Sequence, residues 1–156
     1  MKIRITYLAK LLGATTLASF LCAGGRLLAD DSAFTFTGSI GPMTGEQIYN
    51  HICTGCHMAG GQGAVGAGFY PKLAGDPKLA SWEYAAITVL NGRNGMPPFG
   101  LPKEAAAQTR AIQLSDAQVA DVVNYVRTHF DNKYKSHVTE KQVQALPHPE
   151  SIAVPF

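Results

Sequence analysis

The sequence predicts an all-α fold, on three observations. Two stretches, Thr44-Gly45-Glu46-Gln47 and Ser115-Asp116-Ala117-Gln118, have the form of a helix-opening capping box. In it a hydroxyl accepts from an amide three residues on and a glutamine reaches back to the cap. Val119, Val122, Val123 and Val126 recur at helical spacing, with Tyr125 beside them. No stretch reads convincingly as a strand, and no internal repeat is visible.

The elements follow in chain order. Residues 1–29 read as a secretory signal. Lys2, Arg4 and Lys10 make a positive start, and Leu11 to Gly25 is an uncharged, mostly apolar run. Ala23, Gly24, Gly25 and Ala29 offer small residues for cleavage near 25–29. The run of 15 residues is short for a hydrocarbon core that takes about 20, so no permanent span is expected. A retained N-terminal anchor is the rival reading. Lipid attachment at Cys22 is disfavoured by the bulky Leu21 before it. Export is expected to place the chain in the periplasm.

The chain has 13 Lys and Arg against 11 Asp and Glu. Removing residues 1–29 takes away Lys2, Arg4, Lys10 and Arg26 and no acid, which leaves 9 basic and 11 acidic residues, a net −2. The basic excess belongs to the leader. Nothing resembles the clustered Lys and Arg of a nucleic-acid face. About 125 mature residues suit one domain.

Residues 30–42 form an N-terminal extension. Thr44 then opens a short helix carrying Ile48, Tyr49 and Ile52, which runs into Cys53-Thr54-Gly55-Cys56-His57. This C-x-x-C-H run is the pattern of covalent haem attachment. Two thiols three positions apart can add across two vinyl groups on one edge of the porphyrin. The imidazole that follows can take the iron. Half a zinc site or a redox dithiol shares the C-x-x-C spacing. Zinc needs more ligands, and His51, His129, His137 and His148 form no H-x3-5-H pair among themselves. A dithiol fold needs a βαβ pattern that is absent. The mature chain has only the two motif cysteines, hence no disulfide framework.

Gly60 to Gly68 is glycine-dense, and Gly61-x-Gly63-x-x-Gly66 matches a dinucleotide fingerprint by composition alone. Without a strand before it and a helix after, it reads as a loop beside the cofactor. Ser81 caps a helix from Trp82 to about Leu90, stopped by Asn91-Gly92. Arg93-Asn94-Gly95-Met96-Pro97-Pro98 is a loop stiffened by its prolines. Lys103 to Thr109 offers a helical turn or two within an ambiguous 101–114. The Ser115 helix ends near His129 to Asp131, and Val138 to Val143 is a further short helix candidate. Residues 131–156 read as a C-terminal tail.

A haem iron with one histidine has a sixth position. Met58 adjoins His57 and cannot reach the opposite face, and Met43 has little chain to swing it over. Met96 lies 39 residues past His57, on a strap loosened by Gly95. It is the candidate sixth ligand, against the alternative of an apolar filler. His129 and His137 are the other candidates, and both lie among charged residues expected to face solvent.

With these motifs the chain resembles a class I cytochrome c, a monohaem family, over roughly Gly45 to Phe130. The resemblance implies helices wrapped round one haem c in a domain spanning 43–130. It implies a crossing of first and last core helices at Gly45, Tyr49 and Tyr125. It also implies that the Pro71 carbonyl receives a bond from His57 Nδ1. Trp82 and Arg93 become candidate propionate partners, or else a core aromatic and a surface charge. Leu73-Ala74-Gly75-Asp76-Pro77 and Tyr125-Val126-Arg127 resemble cytochrome subunits of periplasmic flavin or quinoprotein dehydrogenases, the 4-cresol methylhydroxylase type among them. Residues 101–113 and the tail depart from a minimal cytochrome and could dock a partner or cover the haem.

The expected function is single-electron transfer. A flavoprotein or quinoprotein dehydrogenase is the donor, and an oxidase or another cytochrome the acceptor. The chain itself makes and breaks no substrate bond. A free periplasmic shuttle and a haem enzyme or gas binder with an open sixth site are the alternatives.

Overall fold

A computed structural model describes residues 39–66 and 68–150. The predicted leader and most of the extension lie outside them. Among the described residues no helix is long and apolar enough to cross a membrane.

The first helical stretch has three parts. α1 (Gly45–Ile48) opens on Thr44, whose hydroxyl accepts from the Gln47 amide while the Gln47 side chain accepts from the Thr44 amide. A π-helical turn follows over Tyr49–Cys53, and α2 (Thr54–His57) carries the end of the motif. A widened turn of this kind is rare and often marks a functional site. The sequence spacing gives no sign of it.

The glycine-dense segment differs from the expectation of a plain loop. β1 (Ala64–Val65) and β2 (Phe69–Tyr70) pair antiparallel, Ala64 with Tyr70 and Val65 with Phe69. The ladder is two residues long, too short to register as alternation. After a short 3-10 turn, α3 (Trp82–Asn91) starts where Ser81 accepts from the Tyr84 amide and stops at Gly92, φ 70°. α4 (Lys103–Thr109) resolves the ambiguous 101–114 segment. α5 (Asp116–Thr128) opens on the Ser115–Gln118 capping box.

The core is the crossing of α1 on α5. Gly45 makes it possible, since a Cβ there would collide with the backbone carbonyl of Asp121. One turn on, the rings of Tyr49 and Tyr125 pack at 5.6 Å and those of Tyr49 and Phe130 at 4.7 Å. Ile48, Leu90, Val119 and Val123 fill the space between the helices.

The segment past Phe130 is no loose tail up to Leu146. α6 (Glu140–Gln144) begins two residues later than the sequence suggests, on a capping box from Thr139 and Gln142. Val138 and Val143 are buried in the same core as the helix crossing. The Asn124 side chain clamps the Val138 backbone, accepting from its amide and donating to its carbonyl, both at 2.8 Å.

Candidate functional site

α2 delivers His57 to an apolar cavity, where it is 8% exposed. The ring is fixed by a 3.0 Å bond between Nδ1 and the Pro71 carbonyl oxygen. A carbonyl only accepts, so Nδ1 carries the proton and Nε2 keeps its lone pair. The Pro71 strand is itself held in place. The Leu73 and Ala74 amides donate to the Gly61 carbonyl at 2.7 and 2.9 Å, and the Gly63 amide donates to the His57 carbonyl at 3.1 Å.

Cys53 lines the same cavity, half-buried, while Cys56 is exposed. Burial, with Cys56 adding to it, pushes the Cys53 thiol up to about 11. Such a thiol stays protonated near neutrality, which is the wrong state for a dithiol redox nucleophile. Among the described residues no group of three or more His, Cys, Asp and Glu could hold a metal ion. Tyr49 backs the motif: its hydroxyl donates to the Met58 carbonyl at 2.7 Å, and burial pushes its pKa up to about 12.

Met96 lines the same cavity as His57 and Cys53. Its loop is a tight turn. Arg93 and Met96 exchange backbone bonds of 3.1 and 2.9 Å, with Asn94 and Gly95 at φ 48° and 90°. The prolines then return the chain along α3, where the Phe99 and Gly100 amides donate to the Val89 and Leu90 carbonyls. His129 stacks on Tyr125 at 4.0 Å, and His137 lines a separate surface depression; neither lines this cavity.

The two candidate propionate partners part company. Trp82 packs on the core and is not among the cavity-lining residues. Arg93 is exposed, but its Nη1 donates to the Tyr84 hydroxyl at 3.1 Å, and Tyr84 lines the cavity. Tyr84 escapes the sequence reading because a helical face of α3 can be recognised without knowing which cofactor edge it meets. Lys78 lines the cavity as well.

These residues fit a haem. Leu79, Val89, Val123 and Val126 supply an apolar wall. An imidazole with one free nitrogen and a thioether lie on it. Two thiols stand on one helical edge, and Tyr84, Arg93 and Lys78 offer donors to carboxylates.

The family model described as cytochrome c matches residues 42–130. A gluconate 2-dehydrogenase cytochrome c subunit of Pantoea cypripedii is 30% identical over 158 residues, covering 88% of this chain and 33% of the relative. An alcohol dehydrogenase (quinone) cytochrome c subunit of Gluconacetobacter polyoxogenes is 31% identical over 70% of this chain and 24% of its own length. Cytochrome c-552 of Thermus thermophilus is 31% identical over 77% of this chain and 74% of its own length. The chain thus spans a third or less of the two dehydrogenase subunits it is similar to.

Proposed function

Since the chain belongs to the cytochrome c family, with its covalently bound haem c and its electron-transfer function, we propose that it is the cytochrome subunit or dedicated electron acceptor of a periplasmic flavoprotein or quinoprotein dehydrogenase. The observation that carries the proposal is the similarity to a dehydrogenase cytochrome subunit over 88% of the chain, more than the family domain alone occupies. The leader-like N-terminus supports export, with an oxidase or a further cytochrome as the acceptor.

The bound haem supplies a one-electron ferric/ferrous couple. Cys53 and Cys56 hold it covalently. His57 would offer Nε2 to the iron, and its Pro71 bond keeps the ring from turning, as hydrogen bonds to ligating imidazoles do. Met96, in the same cavity wall, would supply a thioether sulfur, and thioether ligation raises the potential relative to two imidazoles. A haem held by both His57 and Met96 would favour electron transfer over oxygen or peroxide chemistry. Tyr84 and Lys78 line the cavity and would offer donors to the propionates, with Arg93 bonded behind Tyr84.

The test is isolation of the tagged chain from its native envelope in mild detergent. The expected result is a flavin- or quinone-containing dehydrogenase in the same complex, which reduces the haem when given its substrate. A haem-loaded chain that migrates alone and is not reduced by any envelope dehydrogenase would instead make it a free shuttle.

A further inference from the structure

Arg127 is the largest fully buried side chain among the described residues, 1% exposed. Its Nε donates to the Leu79 carbonyl at 2.9 Å. Nη1 donates to the Ser136 carbonyl, and Nη2 to Ser136 Oγ at 2.8 Å and to the Ala80 carbonyl at 3.4 Å. The guanidinium lies 5.8 Å from the Tyr134 ring centre. Every bonded partner is neutral. None of the described residues brings a carboxylate into ion-pair contact with it. The acid whose field reaches it is Glu83, an exposed residue whose carboxylate accepts from Ser81 Oγ.

A buried charge without a counter-charge is costly, and donors of the same shape need not carry one. The C-terminal end of α5 offsets part of the charge, but a helix end supplies only about half an elementary charge. A net positive field remains. It arises directly behind the cavity, because Leu79, whose carbonyl holds Nε, and Val126, the preceding residue, both line it. Charges separated by protein rather than water interact strongly. Removing an electron from the iron adds positive charge to the cavity, and a fixed cation behind its wall opposes that.

We propose that Arg127 is an electrostatic tuning residue that raises the reduction potential of the haem that the cavity of His57 and Met96 would hold. The proposal rests on the cytochrome reading above. It gives the buried guanidinium a role in electron transfer that a purely structural staple would not have.

Three variants of the holoprotein test it by spectroelectrochemical titration. Arg127→Met removes the charge and keeps the apolar stem; its midpoint potential is expected to fall. Arg127→Lys keeps the charge and loses the fork; its potential is expected to stay near that of the unsubstituted protein even if its unfolding temperature drops. Ser136→Asp leaves the arginine in place and puts a carboxylate beside it. There the potential is expected to fall while stability holds, which decides the matter should Arg127→Met not fold. Equal shifts in the Met and Lys variants, or an unchanged potential in Ser136→Asp, would overturn the proposal. A pyridine haemochrome assay on the same samples checks the cytochrome reading separately, since absence of covalent haem would sink that reading whatever Arg127 does.

Discussion

His57 is oriented by Pro71, whose carbonyl oxygen lies 3.0 Å from Nδ1. The bond fixes the tautomer and presents Nε2 as the free ring nitrogen. It also makes the geometry of the Pro71 backbone a property of the site. Whatever displaces that strand turns the imidazole.

Gly63 is the residue to test this with. Its φ is +67°, and a Cβ would strike the Tyr70 carbonyl and come within 2.8 Å of the Lys72 amide, on either side of Pro71. Backbone atoms cannot swing aside as a side-chain tip can. Gly63→Ala is expected to cost about 1–3 kcal/mol from crowding and to speed exchange of the His57 Nδ1 proton, followed by NMR. Unchanged exchange would mean that the ring is fixed by something other than this strand.

Met96→Ala removes the candidate sulfur ligand and leaves the Arg93–Met96 backbone pairing intact. The covalent haem is retained through Cys53 and Cys56. The sulfur-to-iron charge-transfer band should vanish, the midpoint potential should drop, and the ferrous form should bind carbon monoxide rapidly. Retention of the band and the potential would remove Met96 from the iron.

At the helix crossing, Gly45→Ala would place a methyl group against the Asp121 carbonyl and 3.0 Å from the Val122 amide. Neither partner is a flexible side chain, so α1 and α5 must separate. A loss of about 1–3 kcal/mol is expected from overpacking, read as a lower urea midpoint with unchanged slope. A neutral substitution would show that the crossing has slack.

The sequence makes the helix starts legible because capping is local. Thr44 with Gln47, and Ser115 with Gln118, need only their own neighbours. The place of Met96 in the cavity wall is legible because glycine and proline fix its loop. Arg127 is not, because a charge on an amphipathic helix reads as solvent-facing. Its acceptors at Leu79 and Ser136 are 48 and 9 residues away, and only the tertiary fold brings them together. Val138 and Val143 are likewise too few to show a period, so the helix candidate between them gives no sign in the sequence that it packs into the core.

The packed segment past Phe130 has its own consequence. Val143 is fully buried, 0% exposed. Val143→Ala removes two buried methyl groups and is expected to cost about 2 kcal/mol in a urea titration. A segment merely draped on the surface would tolerate the change.

The last tie of this segment is pH-sensitive. His148 Nε2 lies 2.7 Å from Asp116 Oδ1, and Nδ1 lies 2.8 Å from the Leu146 carbonyl. Both partners accept only, so both bonds require the imidazolium. The hydrogen bond to Asp116 is the main cause that raises the His148 pKa. A raised folded pKa contributes stability that is complete below the unfolded value, about 6.5, and is lost as pH climbs through the folded one. The pair is partly exposed, so the contribution should be about 0.2–1 kcal/mol. His148→Gln should therefore be less stable than the unsubstituted chain in mildly acidic buffer, with the gap closing in alkaline buffer. Parallel urea titrations across that range measure it. A gap that stays constant with pH would assign the tie to packing and not to the charge on His148.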